Sequence, residues 1–378
     1  MDLIALIEWL GEGWTLAAGG LIIGSIFGAF AQQSRFCLRA AAVEFARGSI
    51  GAKTSVWLLV FTVAVFGTQL LEAIGAIATN EARQIASPQT VSGAAIGGLM
   101  FGVGMVLARG CASRLLVLSA TGNLRALLSG LVFAVFAQAS LKGFLSPARE
   151  AISDQVTTLS IGGNDLLNIV ALTPTLALVL SGLAAVLAIV LARRVNRVGA
   201  WVLLAALAVG TTIPLAWGFT TAVGRVAFDP VTMTALTFTG PSADTLMLFL
   251  SPPGTILGFD VGLVPGVFLG SFLAAWLSGE LKLQGFEGGA GMPRYLTGAA
   301  MMGFGGMLAG GCAVGAGVTG ASVFAITAWI TLFAIWLAAG VTDRLVDAAE
   351  RRDAIPLHPA AGSTGQPLGP FGRLGAGS

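Results

Sequence analysis

Charge is what this sequence has least of: 10% of its 378 residues are Asp, Glu, Lys or Arg, and its one histidine is His358. With 56% hydrophobic residues and a mean hydropathy of +0.88, that shortage leaves no stretch polar enough for a water-soluble domain. No basic cluster interleaved with aromatics occurs, so the net charge of +2 offers nucleic acid no surface. A single histidine in a Pro/Gly-rich tail excludes a four-ligand structural zinc site and leaves no base beside a serine or cysteine nucleophile. Glycines such as Gly310 and Gly311 have the character of a phosphate-cradling loop, but no GxxxxGK[ST] string accompanies them, so direct ATP coupling has no support. A CxxC redox pair is also missing, and three cysteines are an odd number.

The apolar residues fall into runs punctuated by Gly/Pro clusters and charges. They predict nine membrane spans, near 13-33, 55-79, 91-109, 123-141, 168-192, 199-219, 256-277, 295-309 and 322-341. The run from Trp14 to Phe30 follows Asp2, Glu8 and Glu12, where a cleaved signal would be positive, so it is expected to be the first true span. Four stretches, 36-50, 110-121, 228-250 and 311-321, are too apolar for ordinary loops and too short to cross. They read as re-entrant half-helical segments, which a membrane tolerates only where protein buries them or they line a cavity. The expected fold is therefore an all-α polytopic membrane protein, one transporter domain over 1-353, with a disordered Pro/Gly/Ser-rich tail at 354-378.

Gly97 to Ala112, GGLMFGVGMVLARGCA, aligns at constant offset with Gly298 to Ala313, GAAMMGFGGMLAGGCA, placing Gly110 over Gly311 and Cys111 over Cys312. A weaker match, at a different offset, sets GLIIGSIFGAF from Gly20 against GLVPGVFLGSF from Gly262. Together they predict a pseudo-twofold, inverted repeat with halves near 13-141 and 256-345 and with 168-219 between them, although the first and seventh spans do not alternate as inversion requires. Most of the recurring glycines, among them Gly20, Gly24, Gly28, Gly262, Gly266 and Gly270, are expected to let helices pack closely. Basic residues follow the first, fifth and last spans, which puts the N-terminus outside and the C-terminus in the cytoplasm of a bacterial inner membrane.

Each cysteine, Cys37 in QQSRFCLRA, Cys111 in ARGCASR and Cys312 in AGGCAVGAG, falls where a span gives way to a half-helix. A buried cysteine is commonly just a small hydrophobe. Three out of three at breaks, two of them equivalent in the repeat, point instead to thiols lining a pathway. Half-helices starting at these cysteines would aim backbone N–H groups at an anion, and Arg35, Arg39, Arg109 and Arg114 flank two of them. Such arginines otherwise snorkel to headgroups. Polarizable thiols suit a small anion carrying soft sulfur. The rival is a membrane thiol enzyme that handles sulfane sulfur as a persulfide or exchanges disulfides. A third option is a glycine-rich scaffold with cysteines as packing.

The motifs SRFC (Ser34 to Cys37), ARGCASR (Ala108 to Arg114) and GGCAVGAG (Gly310 to Gly317), in this order, resemble those of the sulfur-transport (YeeE/YedE) family of membrane proteins, over roughly residues 13 to 345. The resemblance implies nine spans plus four inward half-helical loops, no enzymatic activity, and uptake of thiosulfate or a related sulfur anion handed along the thiols of Cys37, Cys111 and Cys312. The substrate-contact set expected here is those cysteines with Arg35, Arg39, Arg114, Gly110 and Gly311; no catalytic residue, metal ligand or cofactor is expected. Expected partners are the anion, membrane lipid and a small cytoplasmic sulfur-carrier protein.

Overall fold

Hydrocarbon offers backbone amides no partner, so a chain this apolar must satisfy them within each segment, and it does so as helices. The computed structural model describes residues 3–248, 250, 257–285 and 291–347, and no strand occurs among them. Nine helical stretches among these residues are long and apolar enough to cross a membrane: Glu12–Ala46, Ala52–Ala73, Val91–Ala120, Leu124–Lys142, Pro174–Val195, Ala200–Gly224, Phe259–Leu277, Met292–Ser322 and Ile326–Val346. The chain is an all-helical, multi-pass membrane protein.

Three of the nine, Glu12–Ala46, Val91–Ala120 and Met292–Ser322, are broken into a long helix and a short one. In chain order the helices are α1 (Leu3–Leu10), α2 (Glu12–Ser34), α3 (Leu38–Ala46), α4 (Ala52–Ala73), α5 (Val91–Leu107), α6 (Ala112–Ala120) and α7 (Leu124–Lys142). After them come α8 (Pro174–Val190), α9 (Ala200–Gly224), α10 (Thr239–Leu248), α11 (Phe259–Leu277) and α12 (Met292–Leu308). The last are α13, a π-helical turn Ala313–Thr319 running into Gly320–Ser322, and α14 (Ile326–Thr342). The short helices α3, α6, α10 and α13 occupy the four stretches that the sequence marks as too apolar for loops.

Several boundaries differ from expectation for identifiable reasons. The second span ends at Ala73 rather than 79, because Gly75 takes φ +71° and turns the chain. The fifth begins at Pro174 rather than 168. Thr173 caps that helix with Pro174 at its first position, while residues 166–170 form a separate turn of helix capped by Asp165. The long middle connection carries its own short helix, Ser146–Ser153. An additional helix, α1, precedes the first span, with Gly11 (φ +83°) as the joint and Trp9 exposed. The tail at 354-378 lies outside the described residues.

Glycine packing sets which helices meet. A Cβ on Gly20, Gly24 or Gly28 would strike the carbonyls of Phe259, Leu263 and Val267 in turn, and one on Gly262, Gly266 or Gly270 would strike those of Ala17, Leu21 and Ser25. Contacts that rise together along both chains mean that α2 and α11 run parallel at backbone contact. In α5 and α12 the order reverses: Gly97 lies on Gly305, and Gly104 on Gly298. That pair is antiparallel, as an inverted pair would be; the parallel α2/α11 pair is not related by inversion.

These directions define two ends. One holds the starts of α2, α5 and α11 and the end of α12, and the other holds the ends of α2, α5 and α11 and the starts of α4, α7 and α12. Among the described residues only Arg83, Lys142, Arg149 and Arg225 place a Lys or Arg at the first end, which is rich in acid; the remaining cations belong to the second. At the basic end Arg47 grips the buried Asp343 through two hydrogen bonds, 2.8 and 2.6 Å, joining α3 to the end of α14.

Candidate functional site

The three cysteines share one local structure. Two residues before each stands a left-handed residue, Arg35 (φ 54°), Arg109 (φ 57°) or Gly310 (φ 77°). The next amide then reaches back five residues: Phe36 to the Ala31 carbonyl (3.2 Å), Gly110 to Met105 (3.0 Å) and Gly311 to Gly306 (2.8 Å). This is a Schellman stop, and it halts the long helix. The cysteine follows in extended conformation as N-cap of the short helix, its carbonyl accepting from Ala41 (3.2 Å), Leu115 (2.9 Å) or Ala316 (2.8 Å). Stop and restart within four residues thus leave a thiol at each helix N-terminus, where free N–H groups and the helix dipole favour an anion.

Cys37 and Cys111 come together toward the basic end, thiol beside thiol, with Arg114 and Arg39 the cations that act on Cys37. Cys111 is 1% exposed and its Sγ lies 3.5 Å from the Ser113 hydroxyl. Nη1 of Arg114 is buried without a hydrogen-bond partner, so a guanidinium donor stands open beside the thiol pair. Arg35 is elsewhere. Its side chain is 75% exposed and pairs with Glu280 at 3.4 Å, so its part in the turn is its backbone conformation. Arg109 faces the ring of Tyr295, 5.8 Å from its centroid, with Arg125 at 4.7 Å.

Cys312 lies apart, toward the acidic end. Its sulfur accepts from the Gly315 amide at 3.4 Å, and the amides of Val314 and Phe238 and the Thr237 hydroxyl also face it. The chain just before α10 is wedged in here: Thr319 donates to the Leu236 carbonyl (2.7 Å), Thr237 packs on Gly315, and Thr239 packs on Gly306. Beside Cys312, with Gly310, Gly311 and Thr237 in its wall, opens a polar cavity of about 670 Å³. Thr232, Thr234 and Thr239 line it as well, and the hydroxyl of Thr239 is buried and unpartnered. Gly311 admits no side chain, because a Cβ would meet the Ala316 amide.

Between the two thiol regions stand three rings. Phe27, fully buried, sits edge-on to Phe36 at 6.3 Å and tilted against Phe238 at 5.2 Å. Phe36 adjoins Cys37 and Phe238 adjoins Cys312, so packed rings separate the two thiol regions. Among the described residues no group of three or more His, Cys, Asp or Glu side chains stands ready for a metal ion.

Of the residues expected to meet the substrate, the cysteines, Arg39, Arg114, Gly110 and Gly311 all lie at the two thiol regions. The threonines of VTMTALTFTG, Val231 to Gly240, are an addition that the structure makes. Their signal is a hydroxyl at every second or third position in an otherwise apolar stretch. Threonine occurs in many apolar segments, and only the fold brings Thr232, Thr234, Thr237 and Thr239 to one cavity.

The thiosulfate transporter TsuA of Escherichia coli (strain K12) is 27% identical over 361 residues, covering 90% of this chain and 97% of that protein. TsuA of Spirochaeta thermophila is 26% identical over 329 residues, 84% of this chain and 94% of its own. The model of the sulphur transport family matches residues 33–341, which include all three cysteine turns. The chain belongs to the sulphur transport family.

Proposed function

We propose that this protein takes up thiosulfate across a bacterial inner membrane, passing it from Cys312 to the Cys37/Cys111 pair. The observation that carries this reading is the Cys312 region: a thiol at a helix N-terminus beside a polar cavity whose buried hydroxyls have no partner of their own. Thiosulfate presents a soft terminal sulfur to the thiol and oxygens to the amides and hydroxyls. Both halves of the anion then meet matching groups. The two TsuA relatives support the choice of substrate.

Direction follows from charge. Cytoplasmic loops carry an excess of Lys and Arg, so the basic end faces the cytoplasm and the acidic end faces outward, with the N-terminus outside. Cys312 meets the anion first. Displacing Phe27, Phe36 and Phe238 lets the anion move to the thiol pair, where Arg39 and Arg114 neutralise it before release, the point at which a small sulfur-carrier protein would receive it. Hydrogen bonding from S–H to sulfur is weak, so no station holds the anion long enough to block the next step.

Arg114→Gln and Arg39→Gln should each weaken transport through charge alone, since glutamine retains length and hydrogen bonding. A charge-assisted hydrogen bond contributes about 1.5–3 kcal/mol, so a raised Km, or a lowered rate if release fails, of about 10-fold or more is expected for Arg114. Unchanged kinetics in both variants at matched expression would make these arginines interfacial anchors. The reading as a whole is tested by uptake of radiolabelled thiosulfate into liposomes holding the purified protein, with sulfate as competitor. Saturable uptake that excess sulfate does not suppress is expected, and equal competition by sulfate would overturn the sulfur-selective site.

A further inference from the structure

The cavity beside Cys312 has donors for an oxyanion and yet the wrong charge for one. Unpartnered hydroxyls of Thr239 and Ser153, 0% and 9% exposed, line it. So do Asp154, Asp244 and Asp260, against two arginines, Arg83 and Arg149. Arg149 is already engaged with Glu150 at 3.0 Å. With every acid ionised the wall itself carries one more negative than positive charge, Lys142 standing outside it, so nothing in the wall is left to attract a dianion.

Asp244, on α10, and Asp260, on the first turn of α11, form no ion pair among the described residues. Oδ1 of Asp260 is buried without a hydrogen-bond partner. The charged groups that act on Asp260 are Asp244 from α10 and Arg83 from the short helix Arg83–Ala86; on Asp244, Lys142 from the end of α7 acts. Asp260 also lines a second cavity, of about 300 Å³, shared with Glu12 and Asp229 and with no cation in its wall. It therefore stands between an acid-lined pocket at the outer end and the cavity beside Cys312. A structural carboxylate would be held by an ion pair or a hydrogen bond at each oxygen, and Oδ1 of this one has neither.

We propose that Asp260 and Asp244 are the proton-binding site that couples anion uptake to a proton gradient, one dianion entering with two protons. The proposal rests on the transport reading given above. Two protons leave the outer solution for the two carboxylates and the dianion enters the neutralised cavity; when Phe27, Phe36 and Phe238 part and the cavity opens toward the basic end, the carboxylates give their protons to the water on that side as the anion leaves. No bond within the anion is made or broken, and the net charge moved is zero. Without such neutralisation an inside-negative potential of about 100 mV would hold a dianion back on the order of a thousandfold.

The test is thiosulfate accumulation in liposomes holding the full chain, under an imposed pH step or an imposed potassium-diffusion potential. Wild-type accumulation should rise about 100-fold for each pH unit of acid outside, and potential alone should have no effect. Asp260→Asn removes one proton site, so its response should fall to about 10-fold per pH unit or less and become sensitive to potential, with Asp260→Glu restoring the wild-type slope. Should Asp260→Asn fail to fold, the wild-type slope and Asp244→Asn give the same reading. Wild-type accumulation that ignores the pH step, or an Asp260→Asn slope equal to wild type, overturns the coupling. Exchange of internal for external thiosulfate separates the failures: if exchange persists without pH dependence, only the coupling falls, and if exchange is absent, the transport reading falls with it.

Discussion

Cys312→Ala is expected to cut the initial rate of thiosulfate uptake by about 10-fold, the upper end of the effect of removing one ordinary hydrogen-bond donor. The fold should survive it. Cys312 has no disulfide, and alanine removes one sulfur atom, leaving the Gly315 amide without its weak acceptor. Cys312→Ser separates capping from transport. Serine is a better N-cap than cysteine, so the variant should be at least as stable as wild type. Its harder oxygen is a poorer partner for soft sulfur, so uptake should still fall. Melting temperature and uptake measured on the same preparations check both halves, and full activity with serine would reduce the thiol to a generic donor.

A structural effect of comparable size is expected at the α2/α11 contact. Gly24→Ala places a Cβ on the Leu263 carbonyl, and because both partners are backbone, relief requires the helices to part. Overpacking of this kind costs about 1–3 kcal/mol or more, and here separation would spread along the row Gly20, Gly24 and Gly28. Gly130→Ala in α7 is the control, since nothing lies within 4 Å of its added Cβ. It should be neutral or slightly stabilising, because alanine is the better helix former by about 1 kcal/mol. Size-exclusion profiles after graded heating should show early loss of the folded peak for Gly24→Ala alone.

Both sites carry a lesson about what the sequence makes legible. Hydropathy alone located nine spans and four short apolar stretches, because hydrocarbon forces a periodic, nearly uncharged text onto any helix that crosses it. The cysteine positions were also readable, as breaks in that text. Arg35 was not: it was expected to act by charge, but a Schellman stop needs a left-handed residue there, and the third copy of the turn uses Gly310 for the same purpose. Nothing in a side chain announces that its backbone angle matters. The glycine rows at Gly20 and Gly262 were legible as packing surfaces, whereas the fact that they pack on one another, and in parallel, depends on chain direction in three dimensions. Thr237 and Thr239 were not legible because the cavity they line exists only once the surrounding elements enclose it, and Asp244 and Asp260, far apart from Asp154 in sequence, meet only at the cavity.

The most direct test of the account is the fate of the anion's sulfur–sulfur bond. Liposomes holding the purified protein are supplied with thiosulfate labelled in its terminal sulfur, and the internal solution and the intact mass of the protein are measured during turnover. If thiols pass the anion by hydrogen bonding, doubly sulfurated anion arrives intact and the mass of the protein never changes. Sulfite in the products together with a protein one sulfur atom heavier, lost again on Cys312→Ala, would mean that Cys312 attacks the anion and carries a persulfide, and the thiol pathway proposed here would be wrong.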